Sequence, residues 1–245
     1  MISRQDFLRL SGLSFLTLAS RKTLRALAET TGLRKTRWGL AVDVRRCAQV
    51  KGCTLCIQAC NRAHNVPVIA DPRHEVRWIW KDPVDRVFRD QELQYSSVGN
   101  LPAMVLCNHC DNPPCVRVCP TQATWKREDG IVAMDWHRCI GCRYCMAACP
   151  YGSRSFNWVD PRPYIANQTP DYPTRTKGVV EKCTLCVERI SVGRPPACVE
   201  VCPVKALIFG NLADPTSEIR RVLGSRYHVS RRPELGTRPD VFYIL

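Results

Sequence analysis

The clearest alternation of apolar and polar positions lies in the segment HEVRWIWK, residues 74–81. Val76, Trp78 and Trp80 stand at every second position there, and a period of two residues is typical of a β-strand. After a polar stretch, the apolar run from Leu101 to Leu106 predicts a second strand. We expect the two tryptophans to lie in the core.

Outside these segments the sequence predicts mostly loops that connect short strands and helices. Residues 218–223 have the spacing of one short helix, and the end of the chain, residues 232–245, is broken by prolines. Four further prolines fall between positions 161 and 173, so residues 150–182 are predicted to form an ordered surface loop suited to a partner. The pattern predicts an α+β protein that is largely irregular, with two insertions, residues 61–106 and 150–182.

The first 28 residues are typical of an export signal. Basic residues flank the modestly apolar run Leu10 to Ser20, and Ala26 to Ala28 form a small-x-small cleavage pattern. The start is similar to a twin-arginine signal, with Gln5 in place of the second arginine. An amphipathic helix packed on the body is the alternative. The run is shorter than the roughly 20 residues that span a bilayer, so no transmembrane helix is predicted.

Composition changes this picture, because 16 of the 245 residues are cysteine while only 8% are aromatic. A chain of this length can bury a core, so the cysteines do not compensate for small size. The formal charge of +14 is typical of a nucleic-acid-binding protein. That count treats every cysteine as neutral, so the charge alone does not decide.

The cysteines fall into four groups of four, an internal repeat. The third group, residues 139–149, is C-x2-C-x2-C-x3-C followed by Pro150, the spacing of a ferredoxin iron–sulfur motif. Gly141 permits close approach of the backbone to a cluster, and Pro150 stops the helix. The groups are Cys47, Cys53, Cys56, Cys60; Cys107, Cys110, Cys115, Cys119; Cys139, Cys142, Cys145, Cys149; and Cys183, Cys186, Cys198, Cys202.

The other three groups share one spacing pattern with this motif, since each ends in C-x3-C. They are residues 47–60, 107–119 and 183–202. The first is the outlier: five residues separate Cys47 from Cys53, and Asn61 stands where the proline is expected. We still count Cys47 as a ligand, because otherwise one cluster lacks its fourth thiolate.

Two other cysteine chemistries compete with iron–sulfur clusters. Disulfides suit an exported protein, but C-x2-C neighbours bridge poorly. Zinc also binds paired C-x2-C motifs, although it needs two pairs per metal, whereas here three close cysteines recur with a distant fourth. The spacing favours iron–sulfur clusters over both.

These motifs resemble the ferredoxin-like electron-transfer subunits of the dimethyl sulfoxide reductase, polysulfide reductase and formate-linked nitrite reductase systems. The resemblance covers residues 38–245 and is carried by CNHCDNPPCVRVCP (107–120), GIVAMD (130–135), CPYG (149–152) with Arg154, KCTLC (182–186) and PACVEVCP (196–203). It implies a four-cluster domain built as two bacterial-ferredoxin-like modules related by a pseudo-twofold axis. It also implies that the last cysteine of each motif crosses to a neighbouring 4Fe-4S cluster.

Carried onto this chain, the resemblance gives four ligand sets. They are set a, Cys47, Cys53, Cys56 and Cys202; set b, Cys107, Cys110, Cys115 and Cys149; set c, Cys139, Cys142, Cys145 and Cys119; and set d, Cys183, Cys186, Cys198 and Cys60.

Further segments, NRAHNVP (61–67), HEVRWIWK (74–81) and TRTKGVVEK (174–182), resemble the iron–sulfur subunits of the membrane complex associated with dissimilatory sulfite reductase. That resemblance implies a periplasmic protein attached to the inner membrane through its partners. The partners it implies are a quinone-interacting polytopic subunit, a multihaem cytochrome c and further redox subunits.

No other constellation competes with the cysteines. The five histidines are expected in surface or hydrogen-bonding roles, and no phosphate loop or nucleophile elbow is found. Basic side chains near the motifs have two open interpretations, raising cluster potentials or ordinary solvated charge. The histidines are His64, His74, His109, His137 and His228, and the basic residues are Arg117, Arg143, Arg154 and Lys182.

We therefore expect an electron conduit that binds neither nucleic acid nor an organic substrate. One alternative is the electron-transfer subunit of a molybdopterin oxidoreductase, and another is a basic zinc module for nucleic acid. Four clusters, each of charge about −2 when oxidised, and loss of residues 1–28 would bring the formal charge to about +2. The basic character would then belong mostly to the signal and to uncounted thiolates.

Overall fold

The computed structural model describes residues 36–89, 91 and 96–245. The predicted export signal, residues 1–28, lies outside the described residues. The described strands and helices are short. In chain order they are β1 (Trp38–Asp43), α1 (Val44–Ala48), α2 (Leu55–His64), β2 (Ile79–Pro83), α3 (Val84–Val87), β3 (Pro102–Leu106), α4 (Pro114–Arg117), β4 (Thr124–Lys126), β5 (Val132–Met134), α5 (Tyr144–Ala147), β6 (Ser155–Phe156), β7 (Val180–Glu181), α6 (Val187–Ile190), α7 (Ala197–Glu200), β8 (Leu207–Asn211), α8 (Glu218–Ser225), β9 (His228–Val229) and β10 (Val241–Ile244). Single 3-10 turns lie at Ser96–Val98, Arg162–Tyr164 and Pro233–Leu235.

A four-stranded sheet in the order β8, β1, β10, β9 joins the first and last described strands. Strand β1 is parallel to β10, with Leu40 opposite Val241, and antiparallel to β8, with Leu40 opposite Phe209. Leu40 packs in the main core and Ala41 in a smaller cluster with Ile219 of α8, so β1 is covered on both faces. The proline-broken end of the chain therefore contributes a paired strand, because its last residues are a continuous apolar run.

The predicted strands near residues 76–81 and 101–106 pair with each other. Strand β2 is antiparallel to β3, from Ile79 opposite Leu106 to Pro83 opposite Pro102. Strand β3 confirms the second prediction. Strand β2 begins three residues later than the alternation does and extends further, while Trp78 lies just before it and is 1% exposed. The predicted helix over residues 218–223 is confirmed as α8, which extends to Ser225.

Four of the eight described helices begin one residue before a C-x3-C step. Helices α4, α5 and α7 are four residues long, and each ends three residues before a proline that has no N–H to continue the helix. Helix α2 runs ten residues, through Cys56 and Cys60 to His64, and ends at Asn65 in the left-handed conformation, φ 51°. Asn61 in place of proline allows this continuation, which accounts for one of the two irregular features of the first motif.

The segment 150–182 differs from the predicted surface loop. Strands β6 and β7 pair within it, and Tyr172 and Arg175 are buried at 9% and 2% exposure. Part of this insertion is therefore core, because its charged residues find buried partners described below. Among the described residues, no helix combines the length and apolar character needed to cross a membrane.

Candidate metal centres

All sixteen cysteines lie within the described residues and all are free, so none forms a disulfide. Ten are buried, five are half-buried, and only Cys142 is exposed. Free thiols buried in groups are typical of metal ligands and not of a disulfide-bonded protein. A buried cysteine that binds neither a metal nor another cysteine is chemically inert.

Two of the ligand sets each line one cavity. The four members of set a, Cys47, Cys53, Cys56 and Cys202, surround one cavity together with Lys81. The four members of set b, Cys107, Cys110, Cys115 and Cys149, surround another together with Arg154. In both cases the fourth cysteine comes from a distant motif.

The thiols of set d are the most enclosed. Burial raises the pKa of the Cys60 thiol well above its usual value, and the neighbouring sulfurs of Cys183, Cys186 and Cys198 raise it further. Each of these four cysteines is 5% exposed or less. The structure thus brings Cys60 of the first motif to the three cysteines of the fourth.

Set c lies at the surface. Burial raises the pKa of Cys145, the nearby guanidinium of Arg154 opposes this, and Cys139 and Cys119 are among the sulfurs that raise it. The remaining member, Cys142, is exposed.

Electrostatic proximity between thiols of different sets indicates the order c, b, d, a. Cys145 of set c has Cys115 of set b among its electrostatic neighbours. Cys183 of set d has Cys107 of set b, and Cys198 of set d has Cys56 of set a. Sets b and d are therefore inner, and sets c and a are at the ends.

The surroundings of the thiols fit an iron–sulfur cluster. Backbone N–H groups point at sulfur, from Leu185 to Cys183 Sγ at 3.4 Å and from Ala206 to Cys202 Sγ at 3.2 Å. Asn108 lines the set b cavity, is 1% exposed, and has no partner for either side-chain polar atom. A buried amide without a partner is costly, and sulfur acceptors in that cavity would satisfy its Nδ2 donor.

Burial also opposes the thiolate form that metal binding requires. It raises the pKa of Cys56 to about 11 and that of Cys183 to about 12, with neighbouring thiols adding to both shifts. Four thiolates therefore need a cation among them, and the iron of a 4Fe-4S cluster supplies that positive charge when bound. The chain's own contribution is the ligand geometry, the N–H donors and the exclusion of water.

The basic residues separate into two classes. Arg117 and Arg143 are exposed, and Arg143 stacks over Phe156 and Trp158, so they carry solvated charge. Arg154 is 5% exposed and donates from Nη2 to Cys115 Sγ at 3.0 Å. Lys182 is fully buried and donates from Nζ to the carbonyls of Val132 and Cys183.

Two histidines are buried beside the cysteines. His64 Nδ1 lies 3.0 Å from the Cys60 carbonyl oxygen, and its Nε2 lies 2.8 Å from Glu188 Oε1. His64, Glu188 and Cys186 offer ligand atoms within 4.8 Å of one another, but Cys186 belongs to set d, so we assign no separate metal there.

His109 is held neutral between charges. Burial, followed by the positive charges of Lys182 and Arg154, holds its pKa well below the usual range. Val132 N–H donates to its Nδ1 at 3.2 Å, so the proton is on Nε2. The other histidines lie nearer the surface: His137 is exposed, and His74 and His228 are half-buried.

Sequence reasoning missed a buried ion pair beside set d. Arg175 Nη2 and Glu181 Oε2 are 2.7 Å apart with both side chains 0% exposed. Trp78 Nε1 and Asn157 Nδ2 also donate to Glu181, and the Arg175 guanidinium lies 5.3 Å from the Trp78 ring. The only signal was an arginine and a glutamate in the segment TRTKGVVEK, whose proline-rich surroundings predict a surface loop.

Comparison with known proteins identifies the family. Residues 101–162 and 162–212 match the model of the 4Fe-4S dicluster domain. The chain is 43% identical to the Hdr-like menaquinol oxidoreductase iron–sulfur subunit 1 of Archaeoglobus fulgidus, over 99% of this chain and 98% of that protein. It is 37% identical to a tetrathionate reductase subunit of Salmonella typhimurium, over 96% and 82%, and 34% identical to protein NrfC of Escherichia coli, over 99% and 95%.

These matches decide between the metal interpretations in favour of iron–sulfur clusters over zinc. They also confirm the broad resemblance to ferredoxin-like electron-transfer subunits, with helices, strands and small sheets around the cysteine motifs. Free, grouped thiols, the family match over residues 101–212 and a relative that is similar along almost the whole chain lead to one conclusion: the chain belongs to the 4Fe-4S dicluster family of iron–sulfur electron-transfer subunits of oxidoreductase complexes.

Proposed function

We propose that the chain holds four 4Fe-4S clusters, one in each of sets a to d, and passes single electrons along the order c, b, d, a. The observation that carries this proposal is the succession of four thiol sets, each adjacent to the next. Sets a and d share the first and fourth motifs, and sets b and c share the second and third. We infer from this sharing the two modules and their pseudo-twofold relation.

The two ends of the series are suited to exchange with partners. At set c, Cys142 is exposed and Ile140 and Tyr144 beside it are 67% and 63% exposed. At set a, Val50 and Leu55 are 40% and 45% exposed. Exposed apolar side chains of this size next to a redox site are typical of protein docking surfaces.

The partners we propose are a quinone-interacting polytopic membrane subunit and a multihaem cytochrome c or another redox subunit. The complex would serve sulfur metabolism, with this chain in the place of DsrO, the iron–sulfur subunit of the membrane complex associated with dissimilatory sulfite reductase. It would lie in the periplasm, attached to the inner membrane through its partners. The menaquinol oxidoreductase subunit from Archaeoglobus fulgidus, similar along almost its whole length, supports a quinone-linked complex. The export-like first 28 residues support the location.

A second candidate keeps the electron chemistry and changes the partner to a molybdopterin reductase. The similarity to the tetrathionate reductase subunit favours it. In both cases the four clusters and their order are the same, so the partner alone distinguishes them.

The test is anaerobic isolation of the full chain from membranes of its own cells. We expect about 16 iron atoms per chain, a brown colour bleached by dithionite, and co-purification of a polytopic subunit with a multihaem cytochrome. Recovery of a molybdopterin subunit instead would select the second candidate. An iron content near half the expected value would contradict the four-cluster proposal whichever partner appears.

A further inference from the structure

Lys182 carries a positive charge in the interior without an acidic partner. Its side chain is fully buried, and its recorded acceptors are two carbonyl oxygens, those of Val132 and Cys183, the latter at 2.7 Å. No carboxylate of the described residues forms an ion pair with it. Burying a charge is costly unless an opposite charge compensates, and carbonyl dipoles alone compensate poorly.

The buried ion pair nearby shows what compensation looks like in this fold. Arg175, equally buried, has Glu181 at 2.7 Å. Lys182 is the next residue after Glu181, yet it is directed to the other side, toward Cys183. The acid that the fold does supply is thus used by Arg175, and Lys182 must be compensated by something else.

Lys182 stands at the boundary between the two inner sets. It is bonded to the carbonyl of Cys183, a member of set d. Val132 connects Lys182 to set b. Its carbonyl oxygen accepts from Lys182 Nζ, and its N–H donates to His109. His109 lies in the sequence between Cys107 and Cys110, both members of set b. Cys107 and Cys183 are themselves electrostatic neighbours. One ammonium group therefore faces both inner sets.

The ends of the series have a different environment. Lys81 at set a is half-buried, and its Nζ donates to the carbonyl of Cys53. At set c the nearest buried cation is Arg154, which donates to Cys115 of set b and also acts on Cys145 of set c. Water screens charge at exposed sites and does so much less at buried ones. Lys182 is therefore the buried cation that sets b and d share, whereas Lys81 at set a is partly screened and Arg154 at set c is bonded to set b.

We propose that Lys182 sets the reduction potentials of the two inner clusters, holding the transferred electron on sets b and d rather than on the ends. This inference rests on the proposed four-cluster function. Reduction adds one electron from the donor and one negative charge to a cluster, and no proton needs to move. A buried ammonium stabilises that added charge, so the inner clusters are reduced before the outer ones.

The test compares two lysine-to-methionine variants of the full, cluster-loaded chain. Lys182→Met removes the charge at similar length, and Lys177→Met removes the same charge from an exposed position. Each protein is titrated with dithionite at a series of applied potentials, and each reduced cluster is followed by electron paramagnetic resonance. We expect Lys182→Met to lower the reduced-to-oxidised ratio of two clusters at least tenfold at fixed potential, about 59 mV for a one-electron couple, and Lys177→Met to leave all four ratios unchanged.

A second measurement needs no change at Lys182 and covers the case in which that variant does not fold. In the wild-type chain, the signals of the end clusters are identified by their loss in Cys142→Ser and Cys53→Ser. We expect the two remaining clusters to have the two highest potentials. If an end cluster has the highest potential, or if a folded Lys182→Met with full iron shows no shift, the inference is wrong. Four iron-loaded clusters in the wild-type and Lys182→Met proteins would leave the proposed four-cluster function intact even if the inference about Lys182 is wrong. Fewer than four clusters in the wild type would contradict the proposed function itself.

Discussion

Sets c and d contain the same number of thiols in opposite surroundings. All four cysteines of set d are buried, and Cys60, Cys183 and Cys198 belong to the largest apolar cluster of the molecule. Of set c, Cys145 is buried in a small separate cluster, Cys119 and Cys139 are half-buried against that cluster, and Cys142 is exposed. The main organic core is therefore assembled around set d, whereas set c is attached at its edge.

This difference indicates two roles for one kind of site. An enclosed cluster acts as a structural centre, because its binding free energy contributes to folding. An exposed cluster adds less to the fold but can approach a partner closely enough to exchange an electron.

Removing one ligand from each set should separate the two roles most clearly. We expect Cys198→Ser to abolish cooperative thermal unfolding, because an incomplete set d leaves buried thiols and an emptied core. Cys142→Ser should keep a cooperative transition, with the midpoint lowered by only a few degrees. Circular dichroism melts under anaerobic conditions, with iron determined per chain, provide the measurement. Equal losses in the two variants would remove the distinction between the sets.

The buried ion pair beside set d should make the second largest contribution. Arg175→Met leaves the Glu181 carboxylate buried and unpaired, so we expect a loss of about 3–5 kcal/mol in the free energy of unfolding. The matched control is Arg162→Met, which breaks an exposed pair with Asp160 at 2.5 Å and should have little effect. Denaturant unfolding measures both. A small effect at Arg175 would show that set d is stabilised by its ligands alone.

The sequence predicted the cysteine motifs well because ligand spacing is a local property. Strand β3 and helix α8 were also recovered, since each has a clear apolar pattern. The buried pair of Arg175 and Glu181 could not be recovered, because its partners Trp78 and Asn157 come from distant segments. The proline-rich composition of residues 150–182 instead favoured a surface loop.

The order of the sets could not be predicted from the sequence either. It depends on which sulfurs meet across motifs, such as Cys107 and Cys183, and spacing within a motif contains no information on that. The irregular first motif is the reverse case. The continuation of α2 through Asn61 explains the absence of a proline there, whereas it does not explain the five-residue gap between Cys47 and Cys53.

Glycine substitutions beside the third cysteine motif should show a smaller, local effect. At Gly141, φ is +71° and an added Cβ would lie 2.3 Å from the Gly178 carbonyl oxygen, so Gly141→Ala is both strained and overpacked. We expect a loss of about 2–4 kcal/mol, and loss of the set c cluster before the others. Gly152 has φ +64° with nothing within 4 Å, so Gly152→Ala should cost only the backbone strain, about 1 kcal/mol.

The two glycine variants are distinguished by iron content as well as by unfolding. If Gly152→Ala loses as much iron as Gly141→Ala, the backbone conformation alone controls the clusters. If neither loses iron, close packing against Gly178 is not required to hold set c.

The smallest change to the fold should come from stripping iron out of the wild-type chain. With a mild oxidant and a chelator present, we expect the set c cluster to be lost first, because Cys142 gives solvent and reagent direct access, and set d to be lost last. Iron release should be biphasic, with about a quarter of the iron leaving at least tenfold faster than the rest. In a Cys142→Ser protein that already lacks one cluster, the fast phase should disappear while the slow phase keeps its rate. A fast phase that persists in this variant would mean that an end other than set c is the accessible one, and exposure of a single thiol would then not distinguish the sets.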